Sequence, residues 1–200
     1  MATAVAIIDS GGANIASLLY ALERIGVSAT LTADATVIKT AERVILPGVG
    51  AAGDAMRRLR EQRLIDVIRG LTQPVLGICL GMQLLAEASE EENVECLGII
   101  PGVATRLSAE AGLPVPNMGW CAVKKIADHD LLASASSGSY FYFVHSYALP
   151  VTDNTLAIAS HTDAFSAVVG CDNFVATQFH PERSSADGAR LLKHFIGSGS

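Results

Sequence analysis

The chain has 200 residues, half of them hydrophobic, enough to bury a sizeable core in one compact domain. Its 14 basic and 20 acidic residues leave a net charge of −6, and no Lys/Arg-rich block could follow a phosphate backbone, so nucleic acid is not an expected partner. Residues 1–8 are too short and too poor in positive charge for a secretory signal, and no apolar run approaches the roughly 18 residues of a membrane span, so a cytoplasmic protein with no membrane association is expected.

In chain order, Val5-Ala6-Ile7-Ile8 reads as a buried strand. From Asn14, a plausible N-cap, Ile15, Leu18, Leu19, Leu22 and Ile25 recur on one helical face, and Gly26 is a plausible stop. Val44-Ile45-Leu46 reads as the next strand, ending at Pro47-Gly48-Val49-Gly50, and two helical segments follow over residues 51–60 and 61–70. Val75-Leu76-Gly77-Ile78 is a third strand that runs into Cys79 and a helix carrying Met82, Leu84 and Leu85. Strand and helix in alternation predict a mostly parallel, doubly wound α/β sheet.

Beyond about residue 96 the pattern changes. Short β-rich runs at 97–107, 121–126, 140–147, 156–160, 165–170 and 174–178 are separated by Gly, Pro, Asp, Asn and Ser, and predict an appended antiparallel β region. A last helix is expected over 186–196, and residues 197–200 have the composition of a flexible tail. No internal repeat or linker divides the chain, so residues 1–196 are expected to form a single domain.

Four cysteines, Cys79, Cys96, Cys121 and Cys171, are irregularly spaced and form no CxxC pair, which predicts free thiols. Gly77-Ile78-Cys79-Leu80-Gly81 has the form of a nucleophile elbow, a strand turning sharply into a helix with the central side chain held exposed. A helix N-terminus after such a turn favours a thiolate and offers N–H groups to an oxyanion. By itself the pattern also suits a buried core cysteine at a glycine-containing strand end. Gln178-Phe179-His180-Pro181-Glu182 stands between a predicted strand and the last helix. On an extended segment, residues two apart point the same way, so Glu182 could orient His180 toward a thiol, the logic of a triad with cysteine in place of serine. The blander alternative is a loop histidine beside a solvated or helix-terminal carboxylate. Gly48 and Gly50 stand where peptide N–H groups could approach a reacting carbonyl, although a simple turn would look the same.

Taken together, Pro47-Gly48-Val49-Gly50, Gly77-Ile78-Cys79-Leu80-Gly81-Met82-Gln83 and Gln178-Phe179-His180-Pro181-Glu182 resemble the class I (triad) glutamine amidotransferases. Met118-Gly119-Trp120, Tyr142-Phe143-Val144-His145-Ser146-Tyr147 and the opening Asp9 to Asn14 are similar, within that class, to the glutaminase subunits of imidazole glycerol phosphate synthases of histidine biosynthesis. The matches run from about residue 5 to residue 196. The resemblance implies a flavodoxin-like fold with an added β region, and a nucleophile Cys79, base Cys79-directed His180 and orienting Glu182. It further implies that Gln83, Ser146 and Tyr147 hold glutamine, that N–H groups near Gly50 and Leu80 form the oxyanion hole, and that Gly48 lies with them in the substrate-binding set. The implied partner is a (β/α)₈ barrel cyclase in a heterodimer. Ammonia passes into its barrel, glutamine hydrolysis is weak until it and its ligand are present, and Asn14, Trp120, Tyr142 and Arg183 lie toward it. Asn117 and Cys121 depart from the family pattern, which usually has histidine and asparagine there, and Gly12-Ala13 is an uncommon variant of a variable pair.

No cofactor or metal is expected, because the thiol and imidazole lack the closely spaced ligand pairs of zinc sites. Two rival functions are a stand-alone cysteine hydrolase of γ-glutamyl compounds or the glutaminase domain of another amidotransferase, and a scaffold subunit that lost the reaction. The histidine-pathway motifs argue against the first, and an intact Cys79, His180 and Glu182 against the second.

Overall fold

The computed structural model describes residues 3–11, 15–48, 50–133 and 137–197. Its first half runs β1 (Val5–Ile8), α1 (Ile15–Arg24), β2 (Ala29–Thr32), α2 (Ala35–Thr40), β3 (Arg43–Gly48), α3 (Ala52–Glu61), α4 (Ile65–Arg69), β4 (Val75–Cys79) and α5 (Leu80–Leu85). Then follow β5 (Ala86–Ser89), β6 (Val94–Glu95), β7 (Ile100–Arg106), β8 (Asn117–Ala122), β9 (Lys124–Lys125), β10 (Tyr140–His145) and β11 (Tyr147–Ala148). The chain closes with β12 (Thr155–Ser160), β13 (Ala164–Cys171), β14 (Phe174–Thr177) and α6 (Ser185–Gly197).

Successive side chains of a strand point to opposite faces, and in β1 they enter two different cores. Val5 and Ile7 pack with Leu18 and Leu22 of α1 and Leu191, Leu192 and Phe195 of α6. Ala6 and Ile8 pack with Ile38 of α2, Met56 and Leu59 of α3, Ile68 of α4 and Leu84 of α5. Helices on both faces bury the strand twice over, which is why β1 shows no polar alternation. The central sheet has the order β2-β1-β3-β4-β14-β13-β12-β9. It is parallel from β2 to β14 and antiparallel beyond. The order β2-β1-β3-β4-β14 is the flavodoxin-like one, and in such sheets ligands bind beyond the carboxyl ends of the strands.

The antiparallel region only partly extends this sheet. β8 pairs with β10, and β5, β6, β7 and β11 form a third sheet in the order β11-β7-β5-β6. Several elements differ from the sequence expectation. β2 and α2 carry few buried residues, with only Ile38 buried in α2 and none fully buried in β2, so no periodic signal marks them. The run expected over 121–126 is divided between two strands: its first residues end β8, which begins at Asn117 because pairing along the whole of β10 sets its place, and Lys124–Lys125 form β9 against β12. The run 140–147 breaks at Ser146, after which β11 leaves β8 and pairs with β7. Gly197 closes α6 instead of starting the tail; residues 198–200, like Gly12, Ala13, Asn14 and Val49, lie outside the described residues. Among the described residues no helix is long and apolar enough to cross a membrane.

Candidate active site

Cys79 ends β4 and α5 begins at the next residue. Its φ of 53° and ψ of −110° place a side-chain-bearing residue in a region that costs on the order of 1–3 kcal/mol and persists only when its surroundings impose it. The flanking glycines are part of that imposition. A Cβ on Gly81 would lie 1.9 Å from the Leu46 carbonyl oxygen of β3, and one on Gly77 would lie 2.9 Å from Ala176 Cβ of β14. Without those carbons α5 can settle directly on the strand ends and the elbow can close. The Cys79 sulfur lies 3.7 Å from the Val144 carbonyl oxygen, and Gln178 Nε2 approaches it at 3.8 Å.

His180 follows β14, the strand next to β4. Its Nδ1 lies 2.8 Å from Glu182 Oε1. The segment is not extended, as the sequence suggested. Pro181, with its fixed φ, opens a short 3-10 turn, Pro181–Arg183, and the turn folds the carboxylate back under the ring. The side chains of His180 and Glu182 are 3% and 5% exposed, so Glu182 is not the solvated charge a loop position could have meant. Burial opposes the imidazolium, but hydrogen bonds to Cys79 and Glu182, with their charges, outweigh it and push the His180 pKa up to about 10. With Nδ1 held by Glu182, Nε2 is the nitrogen left for the sulfur. Such a trio can supply a nucleophile, a proton for a leaving group and, later, a base.

Beside this trio lies a cavity of about 390 Å³. Cys79 and His180 line it, with Gly48, Gly50, Leu80, Gln83, Ser146 and Tyr147, the full set expected to bind substrate. Glu182 stands behind His180, away from the cavity. Gly50 has a φ of +97°, which favours glycine there. Gln83 is anchored by donating to the Tyr147 carbonyl at 2.9 Å. Arg183, expected to face a partner, also lines the cavity, and its guanidinium carbon lies 5.3 Å from the centre of the Tyr142 ring. Trp120 meets Tyr142 edge-on with centroids 6.1 Å apart. Three of the four residues expected at the interface thus form one cluster, which Arg183 joins to the cavity, while Asn14 lies outside the described residues. Trp120 pairs with Tyr142 and Met118 with Val144 across β8 and β10, and Met118, Trp120 and Tyr140 are at least half exposed.

Other contributors were not singled out from sequence. Glu91 brings a carboxylate to the cavity wall, where Oε2 accepts from the Ala52 N–H at 2.9 Å; the acidic run around it gives no hint which member turns inward. Ser184 donates to the His180 carbonyl at 2.7 Å and accepts from the Tyr142 N–H at 2.9 Å, tying the histidine turn to β10. His145 and Pro116 also line the cavity.

The model of the class-I glutamine amidotransferases matches residues 6–197, and the chain belongs to that family. It is 51% identical, over 97% of both chains, to the imidazole glycerol phosphate synthase subunit HisH of Xanthomonas axonopodis pv. citri. The corresponding subunit HisH of Mannheimia succiniciproducens is 47% identical over 95% of this chain and 97% of its own. A solved glutamine amidotransferase shares the fold with a TM-score of 0.73 at 18% identity, covering 96% of each chain.

Proposed function

We propose that this chain is the glutaminase subunit of an imidazole glycerol phosphate synthase. It hydrolyses glutamine to glutamate and ammonia, and a (β/α)₈ cyclase subunit, paired with it as a heterodimer in the cytoplasm, uses the ammonia. The cyclase reaction, a lyase step of histidine biosynthesis, yields imidazole glycerol phosphate and aminoimidazole carboxamide ribotide. The observation that carries the reading is the buried His180–Glu182 pair set against Cys79 at the edge of the cavity, in a chain about half identical to subunits of that name.

The Cys79 thiolate attacks the side-chain carbonyl carbon of glutamine, forming a C–S bond. Peptide N–H groups near Gly48, Gly50 and Leu80 take up the charge on the oxygen. The His180 imidazolium gives its proton to the amide nitrogen, the C–N bond breaks and ammonia leaves a glutamyl thioester. Neutral His180 then takes a proton from water, which attacks the thioester; the C–S bond breaks, glutamate departs and the thiolate–imidazolium pair is restored. Glu182 holds the ring throughout. Gln83, Ser146 and Tyr147 hold the substrate, and the carboxylate of Glu91 on the same wall suits its α-ammonium group. The edge-on pair of Trp120 and Tyr142, with Arg183 and the exposed Met118 beside it, suits docking of the cyclase near the cavity mouth, where ammonia must leave.

The test is glutamate release from glutamine by the chain alone, then with a cyclase subunit and its nucleotide ligand. A slow rate that rises sharply on adding both supports the proposal. A fast rate that the cyclase leaves unaltered would mean an independent hydrolase.

A further inference from the structure

The Tyr147 carbonyl accepts from two side chains, Gln83 Nε2 at 2.9 Å and His145 Nδ1 at 2.9 Å. A carbonyl cannot donate, so the His145 proton sits on Nδ1. In a neutral ring Nε2 is then an acceptor, and Asn117 Nδ2 stands 3.1 Å from it. The amide oxygen of Asn117 is left facing Cys121, whose thiol donates to it at 3.6 Å. With the amide flipped, Oδ1 would face Nε2 and demand a second ring proton. That proton is disfavoured, since His145 is only 5% exposed. Burial first, then His161 and the His180 imidazolium, outweigh the Tyr147 carbonyl and hold its pKa down to about 4. The network does not stop at Tyr147. Gln83 Nε2 also lies 3.4 Å from Gln178 Oε1, and Gln178 Nε2 approaches the Cys79 sulfur. Asn117 is buried at the start of β8, and its neighbour Met118 points outward.

We infer that Asn117 locks His145 in the Nδ1–H tautomer and that the two are positioning residues, fixing the Tyr147 carbonyl and through it the Gln83 amide in the glutamine pocket. The lock follows from donor and acceptor matching around a buried ring; its consequence for glutamine rests on the glutaminase reading above. A buried polar network of this kind specifies one geometry only while every member is satisfied.

The test joins two readouts on the full chain. Nitrogen NMR of ¹⁵N-histidine-labelled protein reads the tautomer, and steady-state glutaminase assays with the cyclase bound read KM and kcat. In the wild type His145 should carry its proton on Nδ1 only, without titrating through the neutral range. Asn117→Asp, an acceptor, should add the second ring proton. Asn117→Leu should raise KM for glutamine about ten-fold or more with a smaller change in kcat. Asn117→His, whose ring N–H can donate to His145 Nε2, should recover KM. Thermal unfolding checks that each variant is folded. A wild-type His145 protonated on Nε2, or a folded Asn117→Leu variant with unchanged KM, would overturn the inference. A wild-type complex that turns over no glutamine would instead sink the functional reading, while the NMR result would still decide the lock.

Discussion

The His180 ring donates from Nδ1 to Glu182 Oε1 at 2.8 Å inside a region both side chains share almost without solvent. The second oxygen, Oε2, is buried without a hydrogen-bond partner, so this one bond carries the carboxylate's hold on the ring. Glu182→Gln keeps an acceptor near Nδ1 but removes the charge. It should lower kcat by a factor on the order of 10² to 10⁴ with little change in KM, a smaller loss than Cys79→Ala causes. Equal losses in the two variants would show that Glu182 does more than orient.

The raised pKa of His180 also makes a stability prediction. An unfolded histidine titrates near 6.5, and in the fold the value is about 10. A folded-state pKa above the unfolded one gives stability that is fully present below about pH 6.5 and lost as pH rises through about 10. Thermal unfolding of wild type and His180→Gln across that window should show the wild-type advantage shrinking toward the alkaline end. An advantage that grows with pH would reverse the assignment of charge.

Gly81 has no space for a side chain above the Leu46 carbonyl. Gly81→Ala should therefore push α5 off β3, destabilise the chain by about 1–3 kcal/mol and slow alkylation of Cys79. Thermal unfolding and iodoacetamide labelling measure the two effects. An alanine variant with unchanged Tm and reactivity would mean that the close approach does not hold the elbow.

Trp120 is half exposed and buttressed by Tyr142. Aromatic anchors often dominate interfaces, so Trp120→Ala should weaken association with the cyclase by roughly thirty-fold, or ~2 kcal/mol, without altering the chain's own Tm. Calorimetric titration of the two subunits decides it. Unchanged affinity would move the docking surface elsewhere.

The parallel half of the fold, β2 and α2 apart, was legible because its other strands are short apolar runs and its helices α1 and α3 are periodic. β5, Ala-Glu-Ala-Ser, was not, since its residues favour helix and only pairing with β6 and β7 makes it a strand. Asn117 at the start of β8 gives no strand signal either; its partner is His145, 28 residues away. The site was legible where the chain itself enforces geometry, as at the glycines around Cys79. It was not legible where a tertiary contact decides, as with Glu91 turning into the cavity or Ser184 tying the histidine turn to β10. The His180–Glu182 pairing was anticipated, but through an extended segment that proves to be a 3-10 turn.

The proposed function divides labour between two chains, with ammonia made at Cys79 and used on the cyclase. The most direct measurement is imidazole glycerol phosphate synthesis by the complex containing Cys79→Ala, supplied with glutamine and then with ammonium salt. Glutamine-dependent synthesis should vanish while ammonium-dependent synthesis continues near the wild-type rate. Retained synthesis from glutamine, or loss of both activities in a complex that still forms, would contradict it.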